Sequence, residues 1–202
     1  MNKLVQLVNL WAEFEAQNPE AEIKDFCLDF ILKDYQEKKT GFITINGQLA
    51  SLTGKLSKYA SFYSKKALEK FSLNNIEDWV YLMRLREMGT PKKSELIYDM
   101  ISEFPSGIDV IKRLVKLNLV AEFPDVEDKR SKRLKITESG LELLIKSLPW
   151  MEKISDMAFN QLQEPEKVLL VDLLDRLNTF HKTHYMNVRT SSIEEAYEVL
   201  VK

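Results

Sequence analysis

A run of cationic side chains is the strongest candidate for chemistry in this sequence. Between Lys129 and Lys135, five of seven residues are lysine or arginine. Leu134 and Ile136 alternate with the cations, and this period of two is typical of a strand with one apolar face. A strand that is apolar on one face and cationic on the other favours contact with a polyanion. The run is therefore a candidate phosphate-binding surface.

The neighbouring residues predict that this strand belongs to a hairpin followed by a helix. Residues 120–123 form a second β-prone run, and the polar residues 124–128 between the two runs predict the tip of a hairpin. After the second run, Thr137 can accept a hydrogen bond from a free N–H of a first helical turn, and Glu138 suits the positive end of a helix. The unit is a basic β-hairpin that leads directly into a long helix.

Two helical patterns precede the hairpin. Residues 93–101 predict a short amphipathic helix, and residues 105–117 predict a second helix after a short turn. Two helices joined by a turn and followed by a basic hairpin form a winged helix-turn-helix. In such a unit the second helix is the recognition helix, which enters the major groove of DNA.

With these elements in order, the sequence resembles the MarR family of bacterial transcriptional regulators. The match lies in Asp128-x-Arg130, in Lys132-Arg133-Leu134-Lys135-Ile136-Thr137-Glu138-Ser139-Gly140, and in the preceding Arg113-Leu114-x-x-x-x-Leu119-Val120. The resemblance covers roughly residues 49–185. It implies a homodimer that binds a pseudo-palindromic operator on double-stranded DNA, acts as a repressor, and responds to a small aromatic effector.

Candidate DNA contacts lie on the helix pair and on the hairpin. They are the cationic and polar side chains Lys93, Ser106, Lys112, Arg113, Lys116, Arg130, Lys132 and Arg133. The resemblance assigns the wing to the phosphate backbone or the minor groove, with Asp128 positioning the arginine. The alternative for the wing is a solvated charged hairpin, and the alternative for Lys93 is an ordinary surface lysine.

The start of the recognition helix departs from the usual pattern of the family. Relatives commonly carry an arginine or another polar reader at position 109, whereas this chain has Asp109. Phosphate repels an aspartate unless it accepts from a cytosine amino group or pairs with Lys112 or Arg113. Gly107 lowers helix propensity by up to about 1 kcal/mol relative to alanine. These departures support an alternative interpretation, a winged-helix dimer that acts as a protein-interaction module without sequence-specific DNA binding.

A ligand pocket is implied by the resemblance alone. Members of the family typically bind small, often phenolic, molecules between the dimerisation helices and the DNA-binding lobe. The candidate lining residues are Tyr59, Tyr63, Trp79, Met83 and Trp150. Core packing is the alternative for the same side chains, because aromatic stripes at helical spacing are usually buried.

The whole pattern predicts a mainly α-helical fold with a small β-hairpin wing, long dimerisation helices and an extra N-terminal helical pair. The pair is expected at residues 3–17 and 20–39, with Cys27 in its apolar stripe, and residues 41–47 predict a loop or short extended segment. The expected domains are an N-terminal helical extension at 1–47, a dimerisation helix at 48–73, a winged helix-turn-helix DNA-binding lobe at 74–140 and C-terminal dimerisation helices at 141–202.

Composition narrows the class of protein further. The 202 residues are 45% hydrophobic and 30% charged with a net charge of -2, which predicts a folded domain that is not cationic throughout. Positive charge is instead local, since residues 112–135 carry eight basic and four acidic side chains. Cys27 is the one cysteine of the sequence, which excludes an intramolecular disulfide and favours a reducing cytoplasm.

Enzyme chemistry is not expected. The sequence has no glycine-rich phosphate loop, nucleophile elbow or zinc-protease helix motif. His181 and His184 are spaced as possible metal ligands, but their neighbours supply no third ligand, and favourable charge at a helix C-terminus explains them better. We therefore expect no cofactor, no metal and no membrane span.

Overall fold

The structure is a computed structural model that describes residues 2–36, 44–73 and 75–201. It divides into two compact units, Met1–Leu52 and Thr53–Lys202. The helices are α1 (Lys3–Gln17), α2 (Ile23–Gln36), α3 (Ile45–Leu68), α4 (Ile76–Met88), α5 (Lys93–Asp99), α6 (Phe104–Lys116), α7 (Glu138–Phe159), α8 (Glu164–Val188) and α9 (Ile193–Val201), with a 3-10 turn at Glu69–Phe71. The strands are β1 (Val120–Pro124) and β2 (Lys132–Ile136), which pair antiparallel. This arrangement confirms the predicted fold class.

The N-terminal unit contains the predicted helical pair. The side chain of Asn2 caps α1 by accepting from the backbone N–H of Leu4 at 3.0 Å. Phe26 of α2 is buried and packs against the rings of Trp11 and Phe14, with centroids 5.3 and 5.6 Å apart. Cys27 is exposed, so its predicted place in a core is wrong. The reason is geometric, because Phe26 occupies the inward position of α2 and the next residue points about 100° away from it.

Part of the predicted loop at residues 41–47 is helical. Residues 41–43 lie outside the described residues. Thr44 accepts the backbone N–H of Gly47 at 3.1 Å, and α3 begins at Ile45. The expectation of loop or extended structure is therefore wrong at the end of the segment, because a threonine cap outweighs the low helix propensity of Gly47.

A hydrophobic core holds the second unit together around α4, α5, α6 and the hairpin. We call this part of the chain, residues 76–136, the winged-helix lobe. Its fully buried side chains come from all of these elements: Tyr81, Leu82, Leu85, Leu96, Ile97, Val110, Ile111, Leu114 and Leu134. Because each element contributes apolar residues at its own helical or strand period, the core sets the direction in which every intervening polar residue points.

The hairpin is attached to the rest of the chain at two places. The backbone N–H of Leu134 donates to the carbonyl of Pro91 at 2.9 Å, which ties β2 to the start of α5. Thr137 caps α7 as predicted, accepting from the backbone N–H of Gly140 at 3.0 Å and donating to the carbonyl of Asn118 at 2.8 Å. Rigid attachment at two places lets the wing keep a defined position beside α6.

The C-terminal helices leave much apolar surface open. Every residue of α8 from 171 to 180 is exposed in the single chain. In the part of the chain that the structure describes, no helix is both long and apolar enough to cross a membrane.

Candidate nucleic-acid interface

The recognition helix α6 has a buried face and a polar face. Its buried residues are Gly107, Val110, Ile111 and Leu114. The exposed residues include Ser106, Asp109, Lys112 and Lys116. Asp109 lies 3.7 Å from Lys112, so the carboxylate that departs from the family pattern has a lysine beside it. Three of the predicted contacts therefore lie together on the outward face of one helix.

Gly107 is at the point where α6 approaches α4 and α5 most closely. A Cβ added to this residue would lie 2.7 Å from Cγ1 of Ile97 and 2.8 Å from the hydroxyl of Tyr81. Both side chains are fully buried. Gly107 therefore faces the core and not the outward side of α6. Its cost in helix propensity is offset by the close packing that it permits.

We expect Gly107→Ala to destabilise the protein by about 1 to 2 kcal/mol, because overpacking outweighs the gain in helix propensity. Urea denaturation followed by circular dichroism measures the change. Ser106→Ala, at the exposed neighbouring position, is the control and should leave stability almost unchanged. If Gly107→Ala were as stable as the unmodified protein, close packing would not be the reason for glycine here.

Arg113 of α6 binds a buried carboxylate. Asp78 of α4 is 0% exposed, and its Oδ1 accepts from Nε and Nη2 of Arg113 at 3.1 and 2.7 Å. Asp78 Oδ2 has no hydrogen-bond partner among the described residues. A buried carboxylate requires a countercharge. The guanidinium of Arg113, which the sequence predicted to contact DNA, thus joins α6 to α4.

The wing is held by a second buried carboxylate. Asp125 is 2% exposed, its Oδ1 accepts the backbone N–H groups of Glu127 and Asp128 at 2.9 and 2.8 Å, and its Oδ2 binds the Arg133 guanidinium. Arg133 also donates to the carbonyl of Thr90 at 2.8 Å. Donation from the Asp128 N–H, together with Arg133, holds the pKa of Asp125 below its ordinary value. Arg133 therefore anchors the hairpin.

The sequence patterns did not predict the pairing of Asp125 with Arg133. Asp128 was expected to position an arginine, and it does accept from Arg130, but from the backbone N–H at 3.0 Å. One signal could have pointed to Asp125. It starts an aspartate turn at the hairpin tip, in which a carboxylate accepts backbone N–H groups two and three residues further on.

Glu122 occupies the space between two predicted DNA contacts. Its carboxylate forms an ion pair with Lys93 and lies 3.3 Å from the ammonium of Lys132. Burial raises the pKa of Glu122, but the two lysines outweigh burial and lower the pKa below its ordinary value. In the free protein one carboxylate thus neutralises much of the positive charge of Lys93 and Lys132.

The tip of the hairpin carries two exposed cations, Lys129 and Arg130. The tip spans residues 125–131 and is longer than the predicted 124–128, so Lys129 and Arg130 lie in the loop and not in β2. Both side chains are exposed. Lys129 and Arg130 of the tip and Ser106, Lys112 and Lys116 of α6 are exposed polar or cationic residues of the lobe, and we call this set the basic face.

The predicted pocket residues have different surroundings. Trp79 donates from Nε1 to Ser147 Oγ at 2.8 Å, and Met83 packs against the core of the lobe. Tyr59 is 57% exposed. Tyr63 contacts the ring of Phe62, and Trp150 lies beneath the ammonium of Lys70 at 3.7 Å from its centroid. A shared pocket for these five side chains stays a prediction.

Known proteins similar to this chain share its architecture. No family model matches the chain. The HTH-type transcriptional repressor NicR of Pseudomonas putida is 30% identical over 99 residues, which are 49% of this chain and 63% of NicR. AbsC, a MarR family transcriptional regulator from Streptomyces coelicolor, has a TM-score of 0.59 at 25% identity over 70% of this chain and 97% of AbsC. BpsR of Bordetella bronchiseptica has a TM-score of 0.60 at 23% identity over 65% of this chain and 98% of BpsR.

The helix pair, the anchored hairpin and the long helix after it define a winged helix-turn-helix protein. NicR is a transcriptional repressor and AbsC a transcriptional regulator, and the match spans less than two thirds of the length of NicR. The chain shares this fold with AbsC, a MarR family transcriptional regulator.

Proposed function

We propose that the protein is a homodimeric transcriptional repressor that binds double-stranded DNA and responds to a small aromatic effector. The observation that carries the proposal is the basic face, in which the exposed side of α6 lies beside a rigidly anchored cationic hairpin. NicR, a repressor, and BpsR, whose DNA binding is regulated by 6-hydroxynicotinic acid, support it.

In this proposal each part of the basic face has its own role. The exposed side of α6 enters the major groove, where Ser106 and the neighbouring polar residues meet base edges. Lys129 and Arg130 contact the phosphate backbone or the minor groove on the flank. Arg113 and Arg133 act indirectly, because their guanidinium groups hold α6 and the wing in position through Asp78 and Asp125.

The exposed apolar side of α8 supports the dimer. Its large apolar side chains are between 38 and 69% exposed in the single chain: Val168, Leu169, Val171, Leu173, Leu174, Leu177 and Phe180. A patch of this kind is typical of a protein interface. A second copy related by two-fold symmetry would cover it and would place two copies of α6 about one turn of DNA apart.

Fluorescence anisotropy with duplexes that tile the DNA upstream of the coding region tests the proposal. We expect tight binding to one duplex that resists unlabelled competitor DNA, and a log affinity that falls linearly with log salt. Addition of 6-hydroxynicotinate and of other aromatic acids to the complex tests the response to effectors. Equal weak binding to every duplex would contradict a sequence-specific regulator.

We expect Glu122→Gln to raise DNA affinity about threefold to tenfold at low salt. The substitution removes the carboxylate that competes with phosphate for Lys93 and Lys132. Anisotropy titrations of the two proteins on the same duplex measure the effect, and the ratio should shrink as salt is raised. Glu142→Gln, in an exposed pair on α7, is the matched control. An affinity that falls in Glu122→Gln would show that Glu122 positions the lysines and does not compete for them.

A further inference from the structure

Helix α2 of the N-terminal pair has an apolar side that is open in the single chain. Ile23, Cys27, Phe30 and Ile31 follow one another at i, i+4, i+7 and i+8, so their side chains share one side of the helix. All four are exposed, and Ile23 and Ile31 are 70 and 67% exposed. We call these four residues the α2 stripe. An exposed apolar surface of this kind is typical of a protein interface.

The α2 stripe is not the side of α2 that packs against α1. Phe26 has that place, because it is buried against Trp11 and Phe14. Asp25 and Asp29 are half-buried, and the helical spacing puts them on the side of α2 opposite the stripe. A surface helix of a monomer usually has the reverse arrangement, with its apolar stripe inward and its charged residues outward. The direction of the stripe therefore indicates contact with another chain.

The size of the helical pair also favours association. Among its described side chains, Phe26 alone is buried. A unit of fewer than about 40 residues rarely buries enough apolar surface to be stable, and a disulfide, a metal or oligomerisation usually compensates. Cys27 is the one cysteine of the chain, so a disulfide within the pair is excluded. The α2 stripe supplies the apolar surface that oligomerisation requires.

The order of residues in the α2 stripe makes it complementary to itself. Cys27 is the midpoint, with Ile23 four residues before it and Ile31 four residues after it. A two-fold axis perpendicular to α2 at Cys27 would place Ile23 opposite the partner's Ile31, and Lys24 opposite the partner's Phe30. Lysine and phenylalanine can then form a cation–π contact. Cysteine at the crossing point is small and weakly polar, which allows two helices to approach closely.

We infer that α2 packs antiparallel against α2 of a second copy of this chain, with the two α2 stripes in contact and Cys27 beside the partner's Cys27. The inference rests on the proposed function in one respect, since the homodimer supplies the second copy. It adds to the α8 surface a separate contact, made by residues outside the region of 49–185 that carries the family resemblance.

Thiol crosslinking of the full chain with a short bismaleimide tests the contact. Because Cys27 is the one cysteine, every crosslinked dimer joins two Cys27 thiols. We expect rapid conversion of the protein to a covalent dimer on a denaturing gel. The control is Cys27→Ser/Asn9→Cys, which moves the thiol to an exposed polar position of α1. It should crosslink at least about tenfold more slowly at the same micromolar concentration, because its thiols meet only by diffusion.

A charge exchange tests the antiparallel register. Ile23→Lys/Ile31→Lys places lysine opposite lysine at both ends of the stripe and should lower the crosslinking rate to that of the control. Ile23→Glu/Ile31→Lys places glutamate opposite lysine and should recover much of the rate. Both positions are exposed, so neither variant removes a core side chain. Equal rates for the two variants would overturn the antiparallel pairing.

Sedimentation velocity of the same samples separates the inference from the proposed function. A dimer in which Cys27 crosslinks no faster than the control would overturn the α2 contact and leave the proposed dimer in place. A monomer at micromolar concentration would contradict both. A dimer that crosslinks rapidly through Cys27 but binds no duplex would support the α2 contact and contradict the proposed repressor.

Discussion

Replacement of Arg113 by alanine is expected to lower the free energy of unfolding by about 2 to 3 kcal/mol. The reason is Asp78, whose carboxylate is fully buried and depends on Arg113 for its countercharge. Removal of the guanidinium leaves a buried negative charge between α4 and α6. The expected loss is at the lower end for a broken buried pair, because Arg113 is 34% exposed and water partly screens the interaction. Urea denaturation measures it.

Two further variants separate this effect from a role in DNA contact. Lys116→Ala removes an exposed cation one turn along the same helix and should leave stability within about 0.5 kcal/mol of the unmodified protein. Asp78→Leu combined with Arg113→Met replaces the pair with apolar side chains of similar size and should recover most of the loss. An Arg113→Ala variant as stable as the parent, but unable to bind DNA, would make Arg113 a direct contact.

The double variant Lys129→Ala/Arg130→Ala is expected to weaken DNA binding by about tenfold or more at moderate salt. Both side chains are exposed on the hairpin tip, so the loss reflects phosphate contacts and not folding. If each cation neutralises one phosphate, the slope of log affinity against log salt becomes shallower by about 1.8. Anisotropy titrations across a salt series on one duplex measure both quantities.

The double variant Lys146→Ala/Lys153→Ala removes the same charge from α7 and is the control. It should leave the slope of the salt dependence unchanged. Thermal unfolding of both double variants should match that of the parent, because none of the four side chains is buried. An unchanged slope for Lys129→Ala/Arg130→Ala would remove the wing tip from the DNA interface.

The sequence by itself determined the order and type of the elements in the winged-helix lobe. The helical periods at residues 93–101 and 105–117, and the alternation around Leu134, reflect burial, and burial repeats at a fixed spacing within each element. Thr137 was readable as a cap because its partner, Gly140, lies three residues away. Interactions of this range leave their signal in a few neighbouring residues.

Only the tertiary structure decided which cations face outward. Arg113 and Lys116 are both cationic residues of α6, yet one binds Asp78, 35 residues earlier, and the other is exposed. Arg133 binds the carboxylate of Asp125 and also donates to the backbone carbonyl of Thr90, 43 residues earlier. An arginine carries the same charge in either place, and its direction depends on which buried carboxylate the core brings within reach. That choice depends on long-range packing, which a local pattern does not contain.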